Sequence, residues 1–353
     1  MVTSGLRGVF AVRISRRSLI AGISSAVALA IVVTGVFLLT SHKPAPQRKA
    51  AQSPSASPSA TVHKTAALTS PFTGERIRWL GRELIFKIDN VADARPPTGL
   101  KWADIVYLLP VDAGLSRIFA VFSSHFPPVV GPVRSAREED IKLLRQFGRP
   151  AFAFSGAQPN LLPHVEHARI IDLYAGRVGG YFRSSARFAP HNLYADTRVL
   201  LREAKHASLA RDIGFRFGPA PAGGKRATSY NVTYPAASFS FRWSPARHRW
   251  LAGMDGTAAY DTDGGRLGGA TIVIQYVRVT TSVFRELGVR PPYVNAVGHG
   301  TAVVLRDGRE YRVHWSRPRA DGGTTFTLPD GARMPFAKGQ VWVVFAYGRG
   351  SWR

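Results

Sequence analysis

Two arginines flank a serine in the run Gly131-Pro132-Val133-Arg134-Ser135-Ala136-Arg137, and these residues are the best suited in the chain to hold an anion. Forked guanidinium donors match the oxygen geometry of phosphate and carboxylate, and each bond they make is charge-assisted. The run leads into a helical pattern, SAREEDIKLLRQFG. Ser135 and Glu138 have capping-box spacing, Ile141, Leu143 and Leu144 give an apolar face, and Gly148 stops the pattern. The free N–H groups and positive dipole end of such a helix start would add to the pull on an anion. A competing reading has both arginines solvated or paired with Glu138, Glu139 and Asp140 in the same turn. On local sequence alone the competing reading carries more weight.

A second cluster is Tyr181-Phe182-Arg183, then Arg187, then Pro190-His191-Asn192. It concentrates donors, an imidazole and an amide in a stretch with little apolar periodicity, the kind of loop that often holds function. Equally, Pro190 followed by His191 and Asn192 makes a turn whose side chains bond their own backbone. Asp89-Asn90 followed by Arg95-Pro96 sits at a strand end, where sites of α/β sheets gather, although a plain turn is the commoner meaning. Phosphoryl transfer would need arginines, a metal and a carboxylate, for which Asp89, Asp104 and Asp112 are the candidates. No complete acid–base pair is identifiable, so no catalytic residue is assigned.

Several chemistries are excluded or unsupported. The chain has no cysteine, and so no disulfide, thiol nucleophile, Cys-ligated metal or lipid-modified cysteine. No G-x-S-x-G elbow occurs, and Gly298-His299-Gly300 is too short for a phosphate loop. His164 and His167 lack a third ligand at a recognisable spacing. No metal and no other cofactor is therefore expected. Trp243, Trp250, Trp315 and Trp342 lie at strand positions and read as core or sheet-face residues.

The elements that must position these residues are short. Leu84–Asp89, Asp104–Leu109 and Ser116–Phe122, the last carrying Arg117, are β-branched and aromatic runs bounded by turn signals. Ala151–Ser155 is a further strand, and a helix is expected at Thr197–Lys205 after Asp196. Mixed strands and helices predict an α/β or α+β N-terminal domain over 71–210. A polar, Pro/Gly-rich linker follows over 211–236. The remainder, 237–353, is nearly all strand and predicts a mostly antiparallel β C-terminal domain, with Asp307-Gly308 as a hairpin turn.

Ahead of these lie a basic N-terminus (1–18), an uncharged stretch from Leu19 to Leu39 and a Pro/Ala/Ser-rich segment (40–70). Those 21 residues predict a single transmembrane helix, since a helix of that length spans about 30 Å. Arg7, Arg13, Arg16 and Arg17 before it predict an N-terminus in the cytoplasm and the C-terminal bulk outside. Ser15-Arg16-Arg17-Ser18-Leu19-Ile20 also resembles a twin-arginine export signal, which leaves the same bulk outside. Gly22, Ala26, Ala30 and Thr34 make a small-residue stripe that could support weak helix-mediated self-association. Segment 40–70 has too little apolar surface to fold and reads as a disordered stalk.

Formal net charge is +25, from 47 Lys and Arg against 22 Asp and Glu among 353 residues, which favours anionic partners. With the bulk outside, the expected partners are the membrane itself and an anionic wall polymer or lipid headgroup, rather than nucleic acid.

The sequence also resembles a family, the YerB-like lipoproteins, with N- and C-terminal domains of unknown function (DUF3048). The resemblance covers nearly all of 71–347. It is carried by Lys87-Ile88-Asp89-Asn90, Ala94-Arg95-Pro96, Gly99-Leu100, Ala103-Asp104-Ile105-Val106-Tyr107, Arg117 with IFAVF, GPVRSAR at 131–137 and Ala189-Pro190-His191-Asn192. It continues with Ile274-Gln275-Tyr276, Arg306-Asp307-Gly308 and Trp315-Ser316-Arg317-Pro318. The resemblance implies two domains and groups the Arg134/Arg137 and His191/Asn192 clusters into one site, without assigning a reaction. Members usually carry an acid just after the ADIVY strand, where this chain has Leu108, and Glu-Gly where it has Asp112-Ala113. If that acid were catalytic, this member would be impaired or would rely on Asp112. Many members are anchored by a lipidated cysteine, whose place a transmembrane helix would take here.

The reading preferred on these grounds is an envelope protein binding an anionic ligand through an Arg-rich cleft. The alternative is an enzyme acting on a phosphorylated wall precursor, by loose analogy with wall-polymer phosphotransferases of the LytR-CpsA-Psr type.

Overall fold

Apolar runs buried on both faces set the centre of the molecule. In the computed structural model, which describes residues 67–348 except Leu287, Leu84–Asp89 (β1), Ile105–Pro110 (β2) and Ser116–Phe122 (β3) are buried throughout. The first half continues with Val129–Val130 (β4), Ala151–Phe154 (β5), Ile171–Tyr174 (β6), Tyr181–Arg183 (β7) and Leu193–Asp196 (β8). Its helices are Glu138–Leu144 (α1), Leu162–Glu166 (α2) and Thr197–Glu203 (α3), the last capped by the Asp196 side chain on the Arg198 N–H.

The second half opens with Lys225–Arg226 (β9), Ser229–Tyr234 (β10), Ala237–Ser244 (β11), Arg249–Met254 (β12), Thr257–Ala258 (β13) and Gly268–Gly269 (β14). It ends with Thr271–Thr281 (β15), Pro292–Asn295 (β16), Gly298–Arg306 (β17), Arg309–Arg317 (β18), Thr325–Thr327 (β19) and Val341–Tyr347 (β20). Asp307 and Gly308, at φ of 49° and 68°, turn β17 into β18 with both central residues left-handed, as a two-residue hairpin requires.

Both halves build one 12-stranded sheet, in the order β19-β18-β17-β15-β20-β2-β3-β1-β5-β6, with β16 on β15 and β9 on β18. The seam is β2 against β20, parallel, from Ile105 opposite Val341 to Leu108 opposite Val344. Side-chain alternation divides the sheet between two cores. Leu84, Phe86, Ile88, Val106, Leu108, Ile118 and Ala120 face one, where the five-stranded sheet of β10 to β14 contributes Phe239, Phe241 and Trp250. Ile85, Tyr107, Leu109, Phe119 and Val121 face the other, closed by Leu143, Leu144 and Phe147. A three-stranded sheet, β4-β8-β7, carries the loops beside β1.

This corrects the fold class. The molecule is mostly β: among the described residues its longest helices have seven residues. It is not an α/β or α+β domain followed by a mostly antiparallel β domain. One N-terminal strand, β2, finds a partner in the C-terminal half, and the C-terminal half itself contains the parallel pair β15–β20. Such pairing across more than two hundred residues leaves no local trace, which is why short helical patterns carried too much weight. The single transmembrane helix is likewise unsupported. No helix among the described residues is long and apolar enough to cross a membrane, and 19–39 and 40–70 lie outside the described residues apart from 67–70.

Glu83, just before β1, is fully buried, and neither carboxylate oxygen has a hydrogen-bond partner among the described residues. Burial pushes its carboxyl up to about 9, against the opposing pull of Arg211. The folded chain keeps a proton that the unfolded chain loses above about pH 4.3, so stability falls from there as pH rises toward the folded value. Glu83→Gln is expected to remove that dependence and to be more stable than wild type at pH 8 by about 1 kcal/mol or more. Urea melts of both proteins at pH 5 and 8 check this; two curves that shift in parallel contradict it.

Candidate functional site

β1 ends at Asp89, opposite Arg117 of β3, on the face shared with Ile85 and Lys87. The carboxylate is 2% exposed and must be answered by donors. Oδ1 accepts from the Asn90 N–H at 2.9 Å, and Oδ2 lies 2.8 Å from His191 Nδ1 and 3.1 Å from Arg134 Nε. The histidine contact is a hydrogen bond, whereas the arginine contact is a close charge pair without hydrogen-bond alignment.

Backbone pairing brings both partners in. Segment 131–134 lies alongside β1, with Asp89 N–H on Pro132 O and Arg134 N–H on Lys87 O, both at 2.8 Å. Its other side holds β8, through Val133 N–H on Leu193 O at 2.6 Å. His191 belongs to the loop between β7 and β8. Asn192 shapes that loop, donating to the carbonyls of Ser184 and Arg187 at 3.1 Å and accepting from Arg183 Nη1 at 2.7 Å. Arg187 ties it to the strand-end segment by donating to the carbonyls of Ala94 and Pro96, at 2.9 and 2.7 Å. Arg95 in turn donates to Asn90 O and pairs with Asp255 at 2.7 Å. The peptide bonds preceding Pro96, Pro132 and Pro190 are all cis.

Two further arginines stand behind this pair. Arg117 is 7% exposed and donates to Ser135 O at 2.9 Å. Burial pushes its guanidinium down to about 9; Arg137 and Arg134 add to that, and Asp89 and Asp112 oppose it. Arg137 is also buried, its Nε donating to Asp112 Oδ2 at 3.0 Å, with Glu286 Oε1 at 3.7 Å. Asp112 stands in a turn where Ala113 has φ of 55°, a position at which the glycine of the family pattern would be unstrained.

Of the residues singled out from sequence, Asp89, Arg134 and His191 meet directly, and Arg117, Arg137 and Asp112 adjoin them electrostatically. Arg183, Pro190 and Asn192 belong to the histidine loop. Asp104 lies at the other end of β2, its Oδ2 held by the N–H groups of Ser123 and Ser124 at 2.5 and 2.9 Å. Ser135 does not cap the helix. α1 starts at Glu138, with Arg137 as its cap residue donating its N–H to Asp140 Oδ2 at 2.7 Å, and Ser135 Oγ lies 3.5 Å from Ser155 Oγ. The helix start is thus satisfied from within, and anion chemistry rests on side chains alone.

Sequence reasoning missed Lys87, the charged residue in the otherwise apolar run LIFKID, where a buried-strand charge was the available signal. Fully buried, its Nζ lies 2.6 Å from Asp140 Oδ1 and 4.0 Å from Glu139 Oε1, fastening the first turn of α1 to β1. Burial raises the pKa of Glu139 against the pull of Lys87. Glu286, on the β15–β16 connection, gave no signal. Among the described residues no three His, Cys, Asp or Glu side chains gather closely enough to hold a metal.

A β-rich protein whose two halves share one sheet, with arginine and histidine gathered on a buried carboxylate, is the class this geometry defines. Residues 72–210 match the N-terminal domain, and 230–343 the C-terminal domain, of a protein of unknown function, DUF3048, and the chain belongs to that family. A curated relative, "Putative lipoprotein YerB" of Bacillus subtilis (strain 168), is 23% identical over 295 residues, which is 78% of this chain and 85% of that one. The crystal structure of the Bacillus subtilis YerB protein has the same fold, with a TM-score of 0.68 and 21% identity, covering 79% of this chain and 96% of the other.

Removing one member of a buried ion group typically costs about 3–5 kcal/mol. Lys87→Met is expected to destabilise the protein by that order, and Asp140→Asn added to it to restore part of the loss, because Asn still accepts from the Arg137 N–H. A double-mutant cycle by denaturant unfolding measures the coupling; additive losses contradict the assignment.

Proposed function

We propose that this protein works outside the cytoplasmic membrane, in the cell envelope, and binds an anionic group of a wall polymer or lipid phosphate at the Asp89–Arg134–His191 cluster. One observation carries the reading. Asp89 engages Arg134 through Nε alone and His191 through Nδ1 alone. The terminal guanidinium nitrogens of Arg134 and Nε2 of His191 have no partner among the described residues, and their side chains are 25% and 21% exposed. The cluster is therefore neutralised on its inner side and offers the terminal donors of Arg134 on its outer side, beside Nε2 of His191 and with the buried cation of Arg117 behind them. An incoming phosphate would meet a forked donor already oriented by a buried charge, an arrangement that limits the ordering cost of binding. The envelope location is supported by the lipoprotein name of the Bacillus subtilis relative and by the surplus of 25 positive charges. Anchoring through a lipidated cysteine is closed to this chain, which has none.

A second reading is favoured by the 2.8 Å contact itself. A carboxylate on Nδ1 leaves Nε2 oriented to take a proton from a hydroxyl, with Arg134 placed for the charge of a phosphoryl group. On that reading the site turns over a phosphorylated wall precursor.

Arg134→Gln is expected to weaken binding of vesicles containing polyprenyl phosphate, or of acidic wall polymer, by about 10- to 100-fold at moderate salt. Unchanged affinity for every such ligand contradicts the proposal. Phosphate release that is lost in His191→Ala while binding persists would favour the enzymatic reading.

A further inference from the structure

A recess of about 310 Å³ opens at the end of the central sheet opposite Asp89, where β2 begins. Four stretches of chain far apart in sequence supply its basic side chains, Lys101, His125, Arg247, His248, Arg249 and Lys338. Arg247 and His248 come from the β11–β12 hairpin tip, where His248 has φ of 46°. That left-handed position ordinarily favours Gly or Asn, and the non-glycine residue there carries an imidazole at the rim.

Elsewhere in the molecule buried arginines are bonded to carbonyls or acids. Here the pattern differs. Among the described residues the side chains of Arg247, His248 and Lys338 make no hydrogen bond or ion pair. Nε of Arg249 is buried and unpartnered, its Nη2 alone being held, by Gly268 O and, at 3.5 Å, Gln340 Oε1. Burial and the neighbouring Arg247 both push the Arg249 guanidinium down. The two acids of the recess do little to offset this. Asp104 is 3% exposed and spent on the Ser123 and Ser124 N–H groups, and exposed Glu75 is a lone opposing charge. Lys101 is paired with Asp263 and lies over the Trp102 ring, 4.9 Å from its centroid. Unpaired cations gathered around one concavity repel each other until an anion enters. The volume suits a phosphate with a few attached atoms.

We propose that this recess is a second anion site, distinct from the Asp89 cluster, that binds a phosphoryl group through Arg247, Arg249 and Lys338. The ligand is phosphate or a phosphomonoester, free or at the end of a larger molecule. The exposed Arg247 and Lys338 close on the phosphoryl oxygens, and Arg249, with its buried Nε, supplies the floor donor. Gln340 fixes that floor by donating to Ala103 O at 2.6 Å and accepting from Trp342 Nε1 at 2.9 Å.

Calorimetric titration of the full-length chain tests this, using inorganic phosphate, glycerol 1-phosphate and, as a neutral control, glycerol. The Arg134→Gln background weakens the first site but leaves this recess intact, so the two proposals fail separately. Phosphate and glycerol 1-phosphate are expected to bind and glycerol not. Arg247→Gln with Lys338→Gln, both at exposed positions, is expected to weaken binding at least tenfold while leaving the circular dichroism spectrum unchanged. Preference for glycerol 1-phosphate over phosphate would point to the monoester as the ligand, and equal binding to phosphate itself. Absence of binding in the Arg134→Gln background, or equal affinity in the triple variant, overturns the site.

Discussion

A carboxylate buried to 2% exposure at the end of a central strand has to be met by donors, and in this molecule the donors arrive from two distant segments. Asp89 is the point on which the 131–134 segment and the β7–β8 loop converge. Without its charge, Arg134 would lose its inner anchor and His191 its orientation. The geometry is fixed from outside the pair as well. Segment 131–134 is held between β1 and β8 by backbone hydrogen bonds, and Lys87, two residues before Asp89, holds α1 from below. The site is thus a consequence of how β1 is flanked, and its rigidity comes from the sheet.

The same sheet explains why the two halves are one structure. β2 and β20 pair in parallel at its middle, and Tyr234 Oη from the smaller sheet donates to Phe345 O at 2.8 Å and Leu108 O at 3.2 Å, binding that layer to both strands. Many arginines serve this architecture. Arg317, with 0% exposure, donates to carbonyls of Gly322 and Lys142, and Arg306 to those of Gly218 and Pro335. A mostly β chain with long connections has many carbonyls outside regular ladders, and forked donors satisfy several at once. Part of the net charge is therefore structural, while the free terminal nitrogens of Arg134 and the cations around the Arg247 recess are gathered where an anion could meet several donors.

The local elements were legible in the sequence: LIFKID and SRIFAVF form strands at the residues their patterns mark, and Asp307-Gly308 turns a hairpin. What joins them was not. Parallel pairing of Ile105–Leu108 with Val341–Val344 depends on chain ends that no periodicity links. The residues of the candidate site were visible as types, since Arg134, His191 and Asp89 stand in motifs. Their meeting was not, because it depends on segment 131–134 packing against β1. The Ser135 cap was misread for a related reason: Ser135 lies on the irregular stretch that follows that segment, and the helix waits until Glu138. The recess around Arg247 gathers its basic residues from four distant stretches and left no motif at all.

Asp89 holds His191 by Nδ1 and Arg134 by Nε, which leaves the Arg134 terminus free for an anion with Nε2 of His191 beside it. Long-range nitrogen NMR of the histidine side chains reads this directly. Neutral His191 is expected to carry its proton on Nδ1, Nε2 to respond to added phosphate, and Asp89→Asn to abolish both features. A His191 protonated on Nε2, or an imidazole indifferent to Asp89→Asn, would contradict it.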